Sequence, residues 1–110
     1  MTLEQQATEL LAQARSQRSG RAAHLVVGGP ESTMTQTLVA LRDGTVLGEH
    51  QNPGEATVLV LSGEVRLISG ESRADGGRGE LLEVPPEPHS VEALADSVFL
   101  LTAVKRSHTN

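Results

Sequence analysis

The stretch that decides the fold runs from Gly44 to Gly63 and reads Gly-Thr-Val-Leu-Gly-Glu-His-Gln-Asn-Pro-Gly-Glu-Ala-Thr-Val-Leu-Val-Leu-Ser-Gly. It begins at an Asp-Gly pair, a dipeptide suited to turns with positive φ, and then passes through a polar segment. The run from Ala56 to Leu61 is apolar at every position but one, which predicts a strand buried on both faces. A Ser-Gly pair ends this run, and residues 64–69 are predicted to return as the second strand of a hairpin.

Further strands are predicted on both sides of this stretch. They cover residues 22–27, 33–42, 81–84, 89–93 and 97–105, with turn signals between them. Residues 74–79 are rich in glycine and are predicted to form a flexible loop. The segment Pro85–Pro88 lacks amide donors, so we expect an exposed crossing at the mouth of a barrel. Strands that recur roughly every eight to twelve residues indicate an all-β sandwich or barrel.

The beginning of the chain has a different periodicity. Apolar residues recur at helical spacing, which predicts a helix over residues 3–18; they are Leu3, Ala7, Leu10, Leu11 and Ala14. Thr2 and Gln5 fit a capping box at its start, and Gly20 is a plausible stop. The apolar side of such a helix packs against the barrel wall or against a partner subunit. The predicted organisation is a helical segment 1–20, a barrel 21–106 and a tail 107–110.

Composition narrows the classes of function. At 110 residues the chain forms one domain, and Phe99 is its only aromatic residue, so aliphatic side chains must build the core. The net charge of −5 argues against a nucleic-acid partner. There is no cysteine, which excludes disulfides, thiolate metal sites and a thiol nucleophile. No apolar run approaches bilayer length and the start lacks the pattern of a signal peptide, so we expect a cytoplasmic protein with no membrane association.

The central stretch resembles the first motif of the cupins, a family of small β-barrels. In that motif a glycine is followed by two histidines, a glutamate and a second glycine at fixed spacing. Gly44, His50 and Gly63 match the pattern, whereas Asn52 stands in the place of the second histidine and Ala56 in the place of the glutamate.

A second cupin motif begins at Gly79. Gly79 and Pro85 match it, Glu87 replaces an inner glycine, and His89 arrives one residue earlier than in the family. The resemblance covers about residues 33–104 and implies an all-β jelly-roll barrel of the cupin type, preceded by one helix. It also implies a homodimer that pairs through strands near the start of the chain.

The resemblance further implies that His50 and His89 face the interior of the barrel. Strand alternation without a bulge places several residues on that same face. With the histidines, the predicted ligand pocket comprises His50, Asn52, Ala56, Val58, Val60, His89 and Val91. Without a metal, the two histidines would be neutral polar groups in an otherwise apolar cavity.

Two functions from different classes remain open at this point. The first is a non-catalytic binding module for a small, largely apolar molecule. The second is a metal-dependent enzyme of the dioxygenase or isomerase type, with His50 and His89 as ligands of a divalent transition metal. A catalytic metal normally takes three or more protein ligands, so Asn52, Glu55 or Glu87 would have to complete the shell. Alternation points Glu55 outward, and only a bulge would turn its carboxylate into the barrel.

Overall fold

One helix and nine strands make up the part of the chain that the structure describes. The computed structural model describes residues 1–50 and 54–105, and for residues 49 and 50 it describes the backbone only. Asn52 and the predicted tail lie outside the described residues. The elements are α1 Leu3–Ser16, β1 Arg21–Val27, β2 Met34–Leu41, β3 Val46–His50, β4 Glu55–Ser62, β5 Glu64–Ser69, β6 Ser72–Gly77, β7 Leu81–Glu83, β8 His89–Ala93 and β9 Ser97–Val104.

Helix α1 starts at the capping box that the sequence predicts. The Thr2 hydroxyl accepts the amide hydrogen of Gln5 at 3.0 Å, and the Gln5 side chain accepts that of Thr2 at 2.8 Å. The helix ends at Ser16, slightly earlier than predicted, and the chain then turns through Gly20, whose φ is +74°. Within the described residues, no helix is long and apolar enough to cross a membrane.

The strands form two antiparallel sheets that face each other as a jelly-roll barrel. The five-stranded sheet has the order β1-β2-β9-β4-β7, and the four-stranded sheet has the order β3-β8-β5-β6. Sequential neighbours are often in different sheets, which is why the chain crosses between them several times. The predicted all-β barrel with one N-terminal helix is therefore confirmed.

The core has two layers, one on each face of the five-stranded sheet. The layer inside the barrel contains Val39, Leu41, Val58, Val60, Val65, Leu67, Val91, Ala93 and Phe99. The layer outside the barrel lies under α1 and contains Ala7, Leu10, Ala14, Leu38, Ala40, Val98 and Leu100, with Leu59 and Leu61 packed against it. Strand β4 thus contributes alternate residues to both layers, as the apolar run from Ala56 to Leu61 predicts. The apolar side of α1 packs against the barrel's own wall.

Two predicted connections are wrong. Strands β4 and β5 do not form a hairpin, because β4 pairs with β7 and β9 in one sheet and β5 pairs with β6 and β8 in the other. The segment 74–79 is not a flexible loop along its whole length, since residues up to Gly77 belong to β6. Backbone pairing with β5 holds this glycine-rich segment in an extended conformation despite its weak strand propensity.

The switch between sheets occurs at Gly63. Its φ is +78°, and a Cβ added there would collide with the carbonyl oxygen of Asp96 and with Ser97. Ser97 is fully buried beside it. The Ser97 hydroxyl accepts the amide hydrogen of Glu64 at 3.0 Å and donates to the carbonyl oxygen of Ala95 at 2.7 Å. This corner joins the start of β5 to the start of β9, so it links the two sheets.

The carboxyl end of α1 is fastened to the barrel by charged side chains. Arg42 Nη1 donates to the carbonyl oxygens of Arg15 and Gln17 at 3.3 and 3.1 Å. Arg15 Nε lies 2.6 Å from Asp96 Oδ2, and the other oxygen of Asp96 accepts the amide hydrogen of Asp43 at 2.8 Å. The Asp43 amide first, and Arg15 second, lower the pKa of Asp96. Two loops and the helix end therefore share one carboxylate.

We expect Gly63→Ala to lower the free energy of unfolding by about 2–4 kcal/mol, because it adds a steric clash to the cost of a positive φ. Gly44→Ala is the matched control, since Gly44 has a φ of +84° but nothing within 4 Å of an added Cβ. The control isolates the backbone cost, which is about 1 kcal/mol. Chemical denaturation of both variants measures the difference, and equal losses would contradict the role of the corner.

Candidate functional site

The inner face of β4 lies where alternation predicts. Ala56, Val58 and Val60 are buried and point between the sheets, and Val91 of β8 is buried with them. Glu55 is exposed at the start of β4, so its carboxylate is on the outward side of the alternation. The three valines belong to the packed inner layer, whereas Ala56 lies nearer the end of the barrel, opposite Ala103 of β9. The wall of this end is therefore built from small apolar side chains.

His89 is the one buried histidine among the side chains that the structure describes. It opens β8 directly after the proline segment, and only 1% of it is exposed. Its Nδ1 lies 3.1 Å from the carbonyl oxygen of Glu87. A carbonyl oxygen can only accept, so this contact places a hydrogen on Nδ1. The local chain thus orients the ring of His89.

His50 ends β3, and its description is confined to the backbone. In the register of β3 with β8, the Cα of His50 lies opposite the Cα of His89. The register shifts between Leu47 and His50, so an irregularity in β3 precedes this pairing. The two histidine positions that the sequence selects are therefore neighbours on adjacent strands. Asn52, the third polar residue of the predicted pocket, lies outside the described residues.

The two candidate carboxylates do not join His89 in a cluster. Glu55 and Glu87 are both exposed, and Glu87 reaches His89 through its main-chain carbonyl. Within residues 1–48 and 54–105, no three His, Cys, Asp or Glu side chains gather as a metal site would require. The described side chains thus supply one imidazole at this end of the barrel, which does not by itself fit a catalytic divalent metal.

A cleft on the side of the barrel was missed by the sequence analysis. It has a volume of about 300 Å³ and lies between the β5–β6 hairpin and the segment that follows β7. Its lining consists of Leu67, Ser69, Ser72, Arg73, Ala74, Glu83, Val84, Pro85 and Pro86. A second cavity of about 510 Å³ adjoins it, lined by Ser69, Gly70, Ser72, Pro85, Glu87 and Pro88. Because the sequence predicts a loop over residues 74–79, it indicates no second wall for such a cleft.

The proline segment forms one side of both cavities. Residues 85–88 lie in no strand, as the sequence predicts from their missing amide donors. The Ser69 hydroxyl donates to the carbonyl oxygen of Pro88 at 3.0 Å, which ties the segment to the end of β5. The prolines and this bond restrict the conformations open to the segment.

Solved structures from several bacteria have the same fold. A protein of unknown function from Streptococcus pyogenes aligns with a TM-score of 0.74 at 24% identity, over 84% of this chain and 80% of its own. A cupin superfamily protein from Desulfitobacterium hafniense aligns with a TM-score of 0.75 at 16% identity, over 88% of each chain. A cupin 2 conserved barrel domain protein from Leptotrichia buccalis is 30% identical with a TM-score of 0.72, over 81% of this chain but 43% of its own.

No curated protein matches the chain. The family model described as "Cupin domain" matches residues 37–105, which is more than half of the chain and includes both predicted motifs and strands β4 to β9. The glycine corner, the opposed histidine positions and the two facing sheets all lie in or beside that range. The protein is a member of the cupin family.

Proposed function

We propose that this cupin barrel is a non-catalytic binding module, which holds a small, largely apolar molecule at the end of the barrel where His50 and His89 occur. The observation that carries the proposal is the placement of His89: its polar ring is 1% exposed and lies on the same face of β8 as the buried Val91, while Ala56 and Val58 are buried on the inner face of β4. Few polar groups on an apolar wall are typical of small-molecule sites, where they set the orientation of the ligand.

The orientation of His89 supports the same function. The contact between its Nδ1 and the Glu87 carbonyl oxygen holds the buried ring in place at the start of β8. The register also brings the backbone of His50 opposite that of His89. Catalysis would need further groups, and the nearby carboxylates of Glu55 and Glu87 are exposed. Recognition of a ligand needs only what the histidines and the apolar wall supply.

We expect protein purified without denaturation to carry a small molecule that native mass spectrometry detects and that denaturation releases. His89→Gln should lower its occupancy by about tenfold, because glutamine can still donate to the Glu87 carbonyl but removes the buried imidazole ring. His24→Gln is the control, since His24 is exposed on β1. Protein that carries nothing, or an equal loss in both variants, would count against the proposal.

The metal-dependent alternative is tested at Asn52 and Ala56, the two positions where the motif has a histidine and a glutamate. We expect titration with Ni²⁺ or Mn²⁺ at neutral pH to show weak binding by the natural protein and at least about tenfold tighter binding by Asn52→His/Ala56→Glu, which adds an imidazole and a carboxylate. Adding His50→Ala to that variant should remove the gain. Tight binding of one equivalent by the natural protein would favour the enzyme over the binding module.

We also propose that the protein is a homodimer that pairs through β1. Among the strands of the described residues, this one lies at the end of its sheet and pairs only with β2. Exposed apolar side chains gather there: Leu25 and Val27 of β1 and Met34 at the start of β2 are 46%, 41% and 41% exposed. A second copy would cover both the open edge and this apolar surface.

We expect sedimentation at about 50 µM to give a dimer, and Leu25→Lys to shift it to monomer because a buried charge would replace an apolar contact. Leu81→Lys is the matched control, since Leu81 is 64% exposed on β7 at the opposite edge of the same sheet. A monomeric natural protein, or equal dissociation by both variants, would contradict the proposal.

A further inference from the structure

The barrel wall has a seam between β6 and β7. Each strand is the last of its sheet, β6 next to β5 and β7 next to β4, and no pairing joins the two strands to each other within the described residues. The side cleft of about 300 Å³ lies along this seam. Both strands therefore present an open edge to the same cleft.

The turn before β6 fixes which backbone groups point to the open edge. The two central residues of this turn are Gly70 and Glu71. Gly70 has a φ of +59°, whereas the φ of Glu71 is not positive. Glycine with positive φ at the first central position alone identifies a type II′ turn. Such a two-residue turn makes Ser69 and Ser72 a hydrogen-bonded pair, and bonded pairs then alternate along the ladder. The amides and carbonyls of Arg73 and Asp75 consequently point away from β5.

Neighbouring contacts agree with this alternation. Gly77 is the next alternate residue of β6 after Arg73 and Asp75, so its backbone groups should point the same way. Its amide donates to Glu80 Oε1 at 2.8 Å instead of to β5. On the other side of the hairpin, the carbonyl of Glu64, which pairs with Gly77, accepts the amide hydrogen of Leu94 at 2.9 Å. Arg73, Asp75 and Gly77 thus direct their backbone groups outward from the hairpin.

The edge of β7 is open in the same way. The Glu80 carbonyl accepts the amide hydrogen of Val60, and the Val84 amide donates to the Ala56 carbonyl, both at 3.0 Å. Even-numbered residues here face β4, so the backbone groups of Leu81 and Glu83 point to the other side. The cleft is therefore bordered on both sides by amides and carbonyls that alternate along an extended chain.

Side chains complete the cleft with an apolar floor and one available cation. Leu67, Ala74 and Val84 line the floor. Arg66 holds Asp75 through two contacts of 2.7 and 3.0 Å, which lowers the pKa of that carboxylate. Arg73 also lines the cleft and forms no ion pair with the described side chains, those of residues 1–48 and 54–105.

We propose that this cleft binds an extended peptide segment, which adds antiparallel to β6 through the backbone of Arg73 and Asp75. The occupant follows from complementarity: alternating donors and acceptors on an open edge match the main chain of another strand, and an apolar pocket beside the edge takes alternate side chains. The peptide residue opposite Ala74 faces the floor and should be apolar. The residues on either side of it exchange backbone hydrogen bonds with Arg73 and Asp75. His89 is not among the described residues that line this cleft.

The test uses the capped peptide acetyl-Thr-Val-Thr-methylamide, titrated into the full chain and followed by amide NMR. We expect saturable shifts at Arg73 and Asp75 and slower hydrogen exchange of both amides. The matched probe is the same peptide with both threonine nitrogens methylated, which keeps the side chains but removes the donors toward β6. Its affinity should be lower by about tenfold or more, the effect of losing one or two net hydrogen bonds.

Two variants at one position separate the backbone from the side chain. Arg73→Ala keeps the edge amide, so we expect its affinity for the peptide to stay within about threefold. Arg73→Pro removes that amide without removing a bond to β5, and it should abolish binding. Should Arg73→Pro not fold, the methylated peptide still decides the question on the natural protein.

Three outcomes would overturn the proposal. The first is equal affinity for the methylated and unmethylated peptides, which would show that only apolar contact matters. The second is the absence of a saturable shift at Arg73 and Asp75, or shifts confined to the histidine end of the barrel. The third is a change in the chemical shifts of these two amides with protein concentration in the absence of peptide, which would assign the edge to a second copy of the chain.

Discussion

The structure depends on the burial of β4 and β9 on both faces. Phe99 of β9 and Val58 of β4 point into the barrel, while Val98, Leu100 and Leu59 point out under α1. A sheet whose central strands are apolar on both sides is stable only when two layers cover it. The four-stranded sheet covers one side and the helix covers the other. The N-terminal helix is thus a part of the fold's core and not an addition to a complete barrel.

Much of this arrangement could be predicted from local pattern. The apolar run from Ala56 to Leu61, interrupted only by Thr57, indicates double burial, and the helical spacing of Ala7, Leu10 and Ala14 indicates a helix that packs against the barrel wall or a partner subunit. The capping box fixes where the helix begins. What local pattern does not contain is the choice of partner strand. Nothing in residues 62–64 distinguishes a hairpin from a change of sheet, because the deciding contacts at Gly63 are made with residues 96 and 97, far along the chain.

The two candidate sites differ in how visible they are in a sequence. Histidines are rare and chemically distinct, so His50 and His89 could be selected in advance, and the register then placed their backbones opposite each other. The side cleft depends on backbone groups that every residue carries. The turn at Gly70 determines which alternate residues of β6 direct those groups toward the cleft. Polar, glycine-rich β6 has little strand propensity, so its edge becomes evident only when its pairing with β5 is known. Prediction from residue type therefore finds side-chain chemistry more readily than main-chain recognition.

The charged contacts around Asp96 have a consequence for how the molecule opens. Arg42 and Asp96 hold the carboxyl end of α1 through Arg15 and Gln17, and Ala14 beside them is fully buried. At the other end Met1 and Leu3 are exposed, and the capping-box bonds of Thr2 and Gln5 are made to each other. Local unfolding of the helix should thus proceed from its amino end toward a fixed hinge at Arg15, so the outer face of the five-stranded sheet is uncovered progressively instead of all at once.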